Sequence, residues 1–333
     1  MLDTINLLYT CDDEYLPLVS VSLASFVHNN VDLNFKVYIA TDKDEYTNNY
    51  MKMINFHKNI CFSFINCRKY DYLFKEKKLN KWGSNSFYIY WRMIAPEIVE
   101  CDYLYYIDTD IICFNKIENP LIDNSVCGLV LDSVHSLYNH RLKEENTNLY
   151  NTGIMYIDVK KWKEKQCTLR CINFIKNDRR KLLLADQDII SLALKGDICK
   201  IDPKYNYYSG YDYYGIKDFY DIYELDKKSY YSKDELEKSK ENIIFYHCLG
   251  GVYGRPWEIN NKNPIRNIYH DYLLKSCWSN YSKQRKKSFL TKLELLTYKF
   301  FPREIYKKIH RFALKMYIIK KTLKIIPVFC KED

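Results

Sequence analysis

Two aspartates separated by one residue follow an apolar segment near the middle of this chain. Residues 103–107 are all aromatic or aliphatic, which is typical of a buried strand. Asp108 and Asp110 come next, and strand-like residues resume at Ile111. In an extended segment residues i and i+2 project to the same side, so the two carboxylates can face one point. Their repulsion favours a divalent cation with oxygen ligands between them, and a solvated turn after a core strand is the alternative.

The apolar segment is one of several predicted strands that alternate with helices. Strands are predicted at residues 5–11, 35–40 and 60–65, and helices at 16–27 and 44–57 lie between them. This order is typical of a parallel sheet with helices on its faces. Further strands are predicted at 126–131, 150–159 and 243–247, and further helices at 86–98, 160–176 and 185–195.

Other carboxylates also follow predicted strands. Asp12 comes after the first strand, and Asp132 comes after residues 126–131. Ligands of open α/β sheets bind beyond the carboxyl ends of the strands. If these strands are parallel neighbours, Asp12 and Asp132 lie near Asp108 and Asp110 and belong to one site.

Positive charge is concentrated at the C-terminus. Residues 281–333 contain 15 Lys and Arg against 4 Asp and Glu, a net charge of +11, whereas the whole chain carries +9. The remainder is therefore close to neutral, unlike a uniformly basic nucleic-acid-binding protein. We predict a main domain over residues 1–280, a basic tail over 281–333, and no nucleic-acid partner.

The tail contains the pattern of an amphipathic helix between Pro302 and Pro327. Its apolar residues recur at alternating spacings of 4 and 3: Ile305, Ile309, Phe312, Met316, Ile319, Leu323 and Ile326. Basic residues lie elsewhere on the helical wheel: Lys307, Lys308, Arg311, Lys315 and Lys321. This pattern predicts a helix on an anionic membrane surface. The alternative is a helix that packs on the main domain and leaves its basic face in solvent.

Cysteine usage and the N-terminus predict a cytoplasmic protein, peripheral on the membrane. The twelve cysteines include no Cys-x-x-Cys pair, which favours reduced, buried thiols. The sequence shows neither the pattern of a signal peptide nor a long apolar run. A Tyr-rich stretch at residues 205–231 is predicted to be an irregular loop wall rather than core.

Six groups of residues, taken in order, resemble the family 8 retaining glycosyltransferases, which include bacterial lipopolysaccharide galactosyl- and glucosyltransferases and glycogenin. The resemblance runs from about Asn6 to Tyr272. The groups are Thr10-Cys11-Asp12-Asp13-Glu14-Tyr15, Tyr90-Trp91-Arg92, Tyr105-Tyr106-Ile107-Asp108-Thr109-Asp110, Tyr150-Asn151-Thr152-Gly153 with Lys160-Lys161-Trp162, Asp186-Gln187-Asp188, and His247-Cys248-Leu249-Gly250 with Arg255-Pro256-Trp257.

The resemblance implies a GT-A fold, a single Rossmann-like nucleotide-sugar-binding domain with a mixed central sheet. It implies a UDP-hexose donor, with glucose or galactose transferred to a glycan or lipid-linked acceptor of the cell envelope. Asp108, Asp110 and His247 match the family's metal ligands. Mn²⁺ suits such a mixed oxygen and imidazole set, and Mg²⁺ stays open.

The resemblance also assigns residues to the nucleotide and its phosphates. Thr10 and Asp12 match positions that hold uracil and ribose, and Thr109 is expected to add a backbone contact. Gly250 would let the backbone approach the phosphates. Arg92 matches a position used on the donor sugar and phosphates. Arg255 stands where the family has a lysine, after two extra residues, and can bind phosphate through both guanidinium nitrogens.

Asn151, Asp186 and Gln187 match residues around the transferred sugar, and we expect Asp132 and Asp188 to bind substrate. Gln187 matches the position proposed to face the anomeric carbon. An amide is a poor nucleophile, so a front-side displacement is favoured over a covalent intermediate. Because Asp186 and Asp188 open a predicted helix, N-terminal capping is the alternative role for these carboxylates.

Two other functions are compatible with parts of the pattern. A strand that ends in Asp-x-Asp also occurs in haloacid-dehalogenase-type phosphatases, and Gly196, Asp197 and Asp202 superficially resemble their later acidic motif. Against this, about 100 residues of β/α sequence precede Asp108. The second alternative is an inactive glycosyltransferase-like scaffold, which would bind no UDP-sugar.

Overall fold

The computed structural model describes residues 3–43, 47–54, 56–75, 87–134, 148–178, 182–284 and 289–323. Ten strands form two sheets in these ranges. The strands are β1 (Thr4–Thr10), β2 (Asn34–Thr41), β3 (Ile60–Asn66), β4 (Tyr103–Ile107), β5 (Ile111–Cys113), β6 (Cys127–Leu131), β7 (Tyr150–Asp158), β8 (Ile198–Lys200), β9 (Tyr207–Tyr208) and β10 (Phe245–His247).

The larger sheet has seven strands in the order β3-β2-β1-β4-β7-β6-β8. The first four run parallel, with Leu7 of β1 opposite Tyr105 of β4. Strand β7 is antiparallel to both β4 and β6, which places its first residues beside the carboxyl end of β4. The predicted α/β class and mixed central sheet are confirmed.

The apolar segment around Asp108 and Asp110 differs from the single strand that we predicted. Strand β4 ends at Ile107, residues 108–110 form a turn, and β5 begins at Ile111 in a separate sheet. That second sheet has the order β5-β10-β9, with Ile111 opposite His247. The turn therefore joins the two sheets, and pairing of β5 with β10 brings His247 to the aspartates.

Helices cover the larger sheet and also lie in the segments of chain that connect its strands. They span Leu16–Asn29, Asn48–Ile54, Asp71–Lys75, Tyr88–Trp91, Ala95–Ile98, Val159–Glu164, Cys167–Asn177, Asp186–Ala193, Ser209–Tyr214, Ile216–Tyr223, Lys233–Glu241, Arg266–Leu274, Phe289–Phe300 and Arg303–Leu323. Two predicted helices are each divided in two, at residues 86–98 and 160–176. The second division falls at Gln166, whose backbone is left-handed with φ of 52°. None of the described helices has the length and hydropathy needed to cross a bilayer.

The Tyr-rich stretch at 205–231 is part of the core, so the prediction of an irregular wall was wrong. It contains β9 and the helices Ser209–Tyr214 and Ile216–Tyr223. Tyr208, Tyr211 and Tyr231 are fully buried. Their hydroxyls are satisfied inside the protein: Tyr208 donates to the Leu131 carbonyl, and Tyr211 pairs with Tyr230. Tyrosine can therefore serve as a core residue here.

The C-terminal helix, Arg303–Leu323, packs against the helix Ile216–Tyr223 with its basic side. Arg303 and Lys307 both contact Asp218, at 2.6 and 3.1 Å. Lys315 lies 2.7 Å from Glu224. The domain boundary at residue 280 stays a prediction, and these ion pairs connect the proposed tail to the main domain. Residues 324–333, which include the last apolar position predicted for the helix, lie outside the described ranges.

Candidate active site

A cavity of about 450 Å³ opens at the carboxyl edge of the larger sheet. Thr10 ends β1, Asp108 follows β4, Asn151 lies at the start of β7, and His247 ends β10; all four line the cavity. Its volume falls within the range of about 300–1,000 Å³ that is usual for small-molecule sites. Asp108 and Asp110 thus lie at this edge, whereas Asp12 and Asp132, which we expected beside them, do not line the cavity.

Asp108, Asp110 and His247 form a cluster that can hold a metal ion. One ligand atom from each residue lies within 4.8 Å of the others. The carboxylates converge through the turn between β4 and β5, in which the Ile111 amide donates to the Asp108 carbonyl over 3.3 Å. Convergence was predicted correctly, but an extended strand was the wrong reason for it.

The hydrogen bonds of His247 leave its Nε2 as the metal-facing atom. Asn206 Nδ2 donates to Asn151 Oδ1 over 2.8 Å, so Asn206 turns its Oδ1 toward His247 Nδ1, 2.9 Å away. An amide oxygen can only accept, so Nδ1 carries the proton and Nε2 offers a lone pair. Such an outer hydrogen bond is what fixes the ring of a metal-binding histidine.

The surroundings of this cluster fit a divalent cation. His247 Nε2 and Asp110 Oδ1 are 3.2 Å apart, and when the imidazole is neutral both atoms are acceptors. A bound cation relieves that opposition, and the carboxylate–imidazole donor set suits Mn²⁺. Gly153 keeps the space open, because a Cβ there would overlap the imidazole ring.

Asp110 is held in its ionised form. Burial alone would raise the pKa of its carboxyl, but His247 in its protonated form and the guanidinium of Arg255 lower the pKa well below the usual range. Arg255 Nη1 lies 2.7 Å from Asp110 Oδ2. The longer loop before Arg255 therefore still delivers its guanidinium to the cavity, where it lies beside the candidate metal cluster.

Arg92 connects the candidate metal cluster to the opposite wall of the cavity. Its guanidinium is buried and donates to Asp108 over 3.0 Å and to the Thr152 carbonyl over 2.8 Å. It also lies 3.1 Å from Asp186 and over the ring of Tyr106. Loss of one partner from such a buried charge group typically costs about 3–5 kcal/mol of stability. Arg92 therefore has a structural role in addition to any contact with a ligand.

Asn151, Gln187 and Asp132 form an amide network next to the candidate metal cluster. Asn151 Nδ2 donates to Gln187 Oε1 over 2.9 Å and to Asp132 Oδ2 over 3.2 Å. Gln187 Nε2 lies 3.3 Å from the same Asp132 oxygen. Asn151 and Gln187 line the cavity, whereas Asp132 supports them from behind. Burial raises the pKa of Asp132 despite these hydrogen bonds.

The helix Asp186–Ala193 brings Asp186 and Gln187 to the cavity but not Asp188. Thr152 Oγ1 donates to Asp186 over 2.6 Å, yet burial raises the pKa of the Asp186 carboxyl. Asp188 is fully buried, does not line the cavity, and accepts from the Leu184 amide over 2.9 Å. Asp188 thus accepts from a backbone amide just before the helix, which favours the alternative role of a carboxylate at the helix N-terminus, and its contact with substrate stays a prediction.

The residues expected at the nucleotide are divided between the cavity and its rim. Thr10 and Thr109 line it. Asp12 does not, and its carboxylate accepts from the Glu14 amide over 3.1 Å at the start of a short 3₁₀ turn. Gly250 lies behind Arg255, where a Cβ would meet Arg255 Nε at 3.6 Å. Direct contacts of Asp12 and Gly250 with a ligand stay predictions.

Sequence reasoning missed several residues of the site, and four of them are informative. Tyr88 and Thr152 line the cavity, and Thr152 joins Arg92 to Asp186. Asn206, which orients His247, lies in the Tyr-rich stretch that we predicted to be irregular. Tyr317 reaches the cavity from the C-terminal helix. Of these, only Thr152 lay inside a recognised motif, so the motif alone could have pointed to it.

Comparisons with known proteins agree with this geometry. A sequence model described as "Glycosyl transferase family 8" matches residues 6–261. Lipopolysaccharide 1,2-glucosyltransferase of Escherichia coli (strain K12) is 26% identical over 300 residues, which are 86% of this chain and 83% of the relative.

This chain matches only part of the length of two further relatives. General stress protein A of Bacillus subtilis (strain 168) is 28% identical over 200 residues, 57% of this chain and 66% of the relative. Glycosyltransferase GlyF of Streptococcus pneumoniae serotype 4 is 23% identical over 269 residues, 80% of this chain and 61% of the relative. This chain therefore spans less than two thirds of either protein.

Solved structures share the fold at low sequence identity. The bifunctional glycosyltransferase WbbM superposes with a TM-score of 0.66 at 15% identity, over 83% of this chain and 50% of that one. Galactosyltransferase LgtC, in complex with donor and acceptor sugar analogues, superposes with a TM-score of 0.61 at 17% identity, over 80% and 95%. At these identities the structures inform the fold alone.

Proposed function

This chain belongs to glycosyl transferase family 8 and has its GT-A fold, and we propose that it transfers a hexose from a UDP-sugar with retention of configuration. The observation that carries the proposal is one cavity in which the candidate metal cluster and Gln187 lie together. Glucose and galactose are the proposed sugars, with glucose favoured by the glucosyltransferase relative. Family membership contradicts the phosphatase alternative.

Asp108, Asp110 and His247 would hold the divalent cation, for which we propose Mn²⁺. When bound, such a cation neutralises the diphosphate and stabilises UDP as the leaving group. Asp110 contributes a carboxylate whose lowered pKa keeps it charged, and Asn206 holds the imidazole with Nε2 toward the cluster. The chain thus supplies a charged carboxylate and an imidazole nitrogen that faces the cluster, the kinds of ligand that a divalent cation binds.

We assign the two arginines of the cavity to the charge of the donor. Arg255 is partly exposed at the cavity, so its side chain can reach both Asp110 and a phosphate. Arg92 is fixed by Thr152 and by two carboxylates, and it presents positive charge without needing to move. A guanidinium that is already oriented loses little entropy when it binds an anion.

Gln187 and Asn151 are assigned to the sugar. The carbonyl oxygen of Gln187 accepts from Asn151, which fixes the amide plane at the cavity wall. A fixed amide dipole can stabilise positive charge that develops at the anomeric carbon, whereas it is a poor nucleophile. This favours departure of UDP and entry of the acceptor on the same face, with retained configuration.

Donor hydrolysis in the absence of acceptor tests this proposal. The full chain is incubated with UDP-glucose, UDP-galactose and their N-acetylated counterparts, with Mn²⁺, with Mg²⁺ or with EDTA. We expect slow release of UDP from one hexose donor with Mn²⁺ and none in EDTA. Full turnover in EDTA would contradict the metal assignment, and no UDP binding with any donor would favour the scaffold alternative.

The stereochemical part of the proposal has its own test. The anomeric proton of the product is observed by NMR after transfer to a sugar acceptor. An α-linked product from the α-linked donor supports the assignment of Gln187. A β-linked product would show that the family's retaining chemistry does not apply to this chain.

We propose a glycan or lipid-linked acceptor of the cell envelope, with the protein on the cytoplasmic face of the membrane. The lipopolysaccharide glucosyltransferase relative, of which the chain covers 83%, supports an envelope acceptor. The C-terminal helix supports attachment to a membrane by its apolar stripe, since Ile305, Phe312 and Met316 are all exposed to solvent.

The basic side of this helix faces the protein, which changes how membrane binding should depend on salt. Lys307 is buried against Asp218 and Asp221, and Arg311 and Lys315 lie near Glu224. Lys308 is exposed, whereas the side chain of Lys321 lies outside the described part. With so many cations paired internally, apolar insertion rather than surface charge should dominate binding.

Vesicle sedimentation tests this mode of attachment. We expect the full chain to sediment with anionic vesicles and to remain bound at high salt. Phe312→Asp should release it, because a carboxylate at the centre of the apolar stripe opposes insertion. Lys308→Gln is the matched control and should change binding little. Complete release of the unmodified chain by salt would instead favour binding by surface charge.

A further inference from the structure

The C-terminal helix supplies a side chain to the cavity from outside the region matched by the family. The family match ends at residue 261, whereas Tyr317 lies on the helix Arg303–Leu323 and lines the cavity. Leu183 and Leu184, which precede the helix that carries Gln187, line the cavity as well. This element is therefore additional to the motifs shared with the family.

Packing beside Tyr317 places it at the sugar side of the cavity. Its neighbour Ile318 is buried together with Leu149, and Leu183 packs against this pair. Leu149 immediately precedes β7, which begins with Tyr150 and Asn151, and Leu183 lies four residues before Gln187. The helix thus contacts the two segments that lead into the amide network.

Several contacts along the helix hold this position. Arg303 and Lys307 anchor its first turns on Asp218, and Lys315 pairs with Glu224 two residues before Tyr317. Tyr306 is buried, with its ring against Tyr214. Ion pairs at one end and the buried Ile318 at the other fix which face of the helix meets the cavity.

The ring of Tyr317 has the chemistry of a sugar-binding surface. Half of the side chain is exposed (51%), although it lines the cavity. An aromatic face packs against the C–H face of a pyranose, and the phenol hydroxyl adds a polar contact at the ring edge. The candidate metal cluster and the arginines account for the donor phosphates, so a surface beyond Gln187 is available to the second sugar.

We propose that Tyr317 contacts the acceptor glycan and that the C-terminal helix forms one wall of the acceptor site. This rests on the proposed glycosyltransferase function and names a residue for its second substrate. Because the same helix exposes an apolar stripe, attachment to a membrane would bring a lipid-linked glycan to the side of the cavity where Tyr317 lies.

The test compares transfer to acceptor with donor hydrolysis in the full chain. The probe is a glycolipid extract of the source organism's own membranes, dispersed in detergent so that vesicle attachment plays no part. Incorporation of radiolabelled hexose into the lipid phase is measured alongside release of UDP without acceptor. The variants are Tyr317→Ala and Tyr317→Phe. Tyr72→Ala is the control, since it removes an exposed tyrosine ring that does not line the cavity and lies outside the C-terminal helix.

We expect Tyr317→Ala to raise the KM for the extract by about tenfold and to leave donor hydrolysis within about twofold of the unmodified chain. Tyr317→Phe should retain most of the transfer, because it keeps the ring, and Tyr72→Ala should match the unmodified chain. Unchanged transfer by Tyr317→Ala would overturn the inference, and so would an equal loss of transfer and hydrolysis. If the unmodified chain hydrolyses donor but labels no lipid, the proposed lipid-linked acceptor fails instead, and this assignment of Tyr317 fails with it.

Discussion

The candidate metal cluster and the amide network share one cavity, yet they bury carboxylates in opposite electrostatic surroundings. Asp110 lies between His247 and Arg255, which lower its pKa in spite of burial. In the amide network Asp132 accepts from the neutral amides of Asn151 and Gln187, and burial raises its pKa.

Because of this difference, the two parts of the cavity suit different parts of a nucleotide-sugar. The carboxylates of the cluster are anionic and lie beside cationic side chains. This arrangement suits a divalent metal ion together with the phosphates that it would bind. In the amide network Asn151 and Gln187 present neutral dipoles, which are oriented by their hydrogen bonds to each other and to Asp132. Such fixed dipoles suit sugar hydroxyls and a developing positive charge. Arg92 pairs with Asp108 of the candidate metal cluster and with Asp186, which is next to Gln187 in the sequence. It thereby connects the two parts of the cavity.

The largest expected effect comes from removing charge at the cluster. Asp110→Asn deletes one anionic ligand and leaves Arg255 without its partner, so Mn²⁺ affinity and donor hydrolysis should fall by about 10–100-fold. Mn²⁺ binding is measured by calorimetry and turnover by UDP release. Asp32→Asn is the control, since Asp32 pairs with Lys116 at the surface. Equal Mn²⁺ affinity in both variants would remove Asp110 from the ligand set.

A truncation in the amide network should separate turnover from binding. Gln187→Ala removes a dipole that acts mainly on the transition state, so kcat should fall about tenfold, the equivalent of one hydrogen bond. The affinity for UDP should change little, because the cluster and both arginines remain. Parallel losses of kcat and UDP affinity would mean that the two parts of the cavity are not separable.

A small backbone change should displace the imidazole without removing it. Gly153→Ala places a Cβ where His247 lies, so the ring must move and Mn²⁺ affinity should fall several-fold, less than for the loss of a whole ligand. Calorimetry with Mn²⁺ measures this, and a thermal melt checks that the fold persists. Mn²⁺ binding as tight as in the unmodified chain would show that His247 is not a ligand.

The smallest effect is a pH-dependent change in stability. The raised pKa of Asp132 means that the folded state binds a proton more tightly than the unfolded chain, so Asp132 lowers stability as pH rises through its folded pKa. Asp132→Asn cannot ionise, and its melting temperature relative to the unmodified chain should increase from about pH 4 to pH 7. A difference that is the same at every pH would contradict the assignment.

Much of this comparison was predictable from local sequence. The Asp108 and Asp110 pair, His247 and the Asp186–Gln187 helix start are short-range patterns, and each could be matched to a known motif. The turn at 108–110 was not predictable in the same way, because strand-like residues continue on both of its sides. The change of sheet depends on pairing between β5 and β10, whose residues Ile111 and His247 are far apart in sequence.

Contacts between distant residues account for the other errors. Asn206 orients His247 from the Tyr-rich stretch that we predicted to be irregular. That prediction gave too much weight to the tyrosine hydroxyls and too little to the apolar rings. The apolar stripe of the tail helix was predictable from the sequence, but the acidic residues that pair with its basic side were not. Lys307 and Asp221 are 86 residues apart, and a helical wheel cannot show which acids a basic face will meet.

The buried tyrosines of residues 205–231 set an alkaline limit on this protein. Burial raises the pKa of Tyr208, Tyr211 and Tyr230 well above that of a free phenol. The folded state therefore holds these protons more tightly, and stability is lost as pH rises past the ordinary phenol pKa of about 10. The absorbance of the phenolate form of these rings should therefore be absent while the domain is folded. It should appear at the same pH as unfolding.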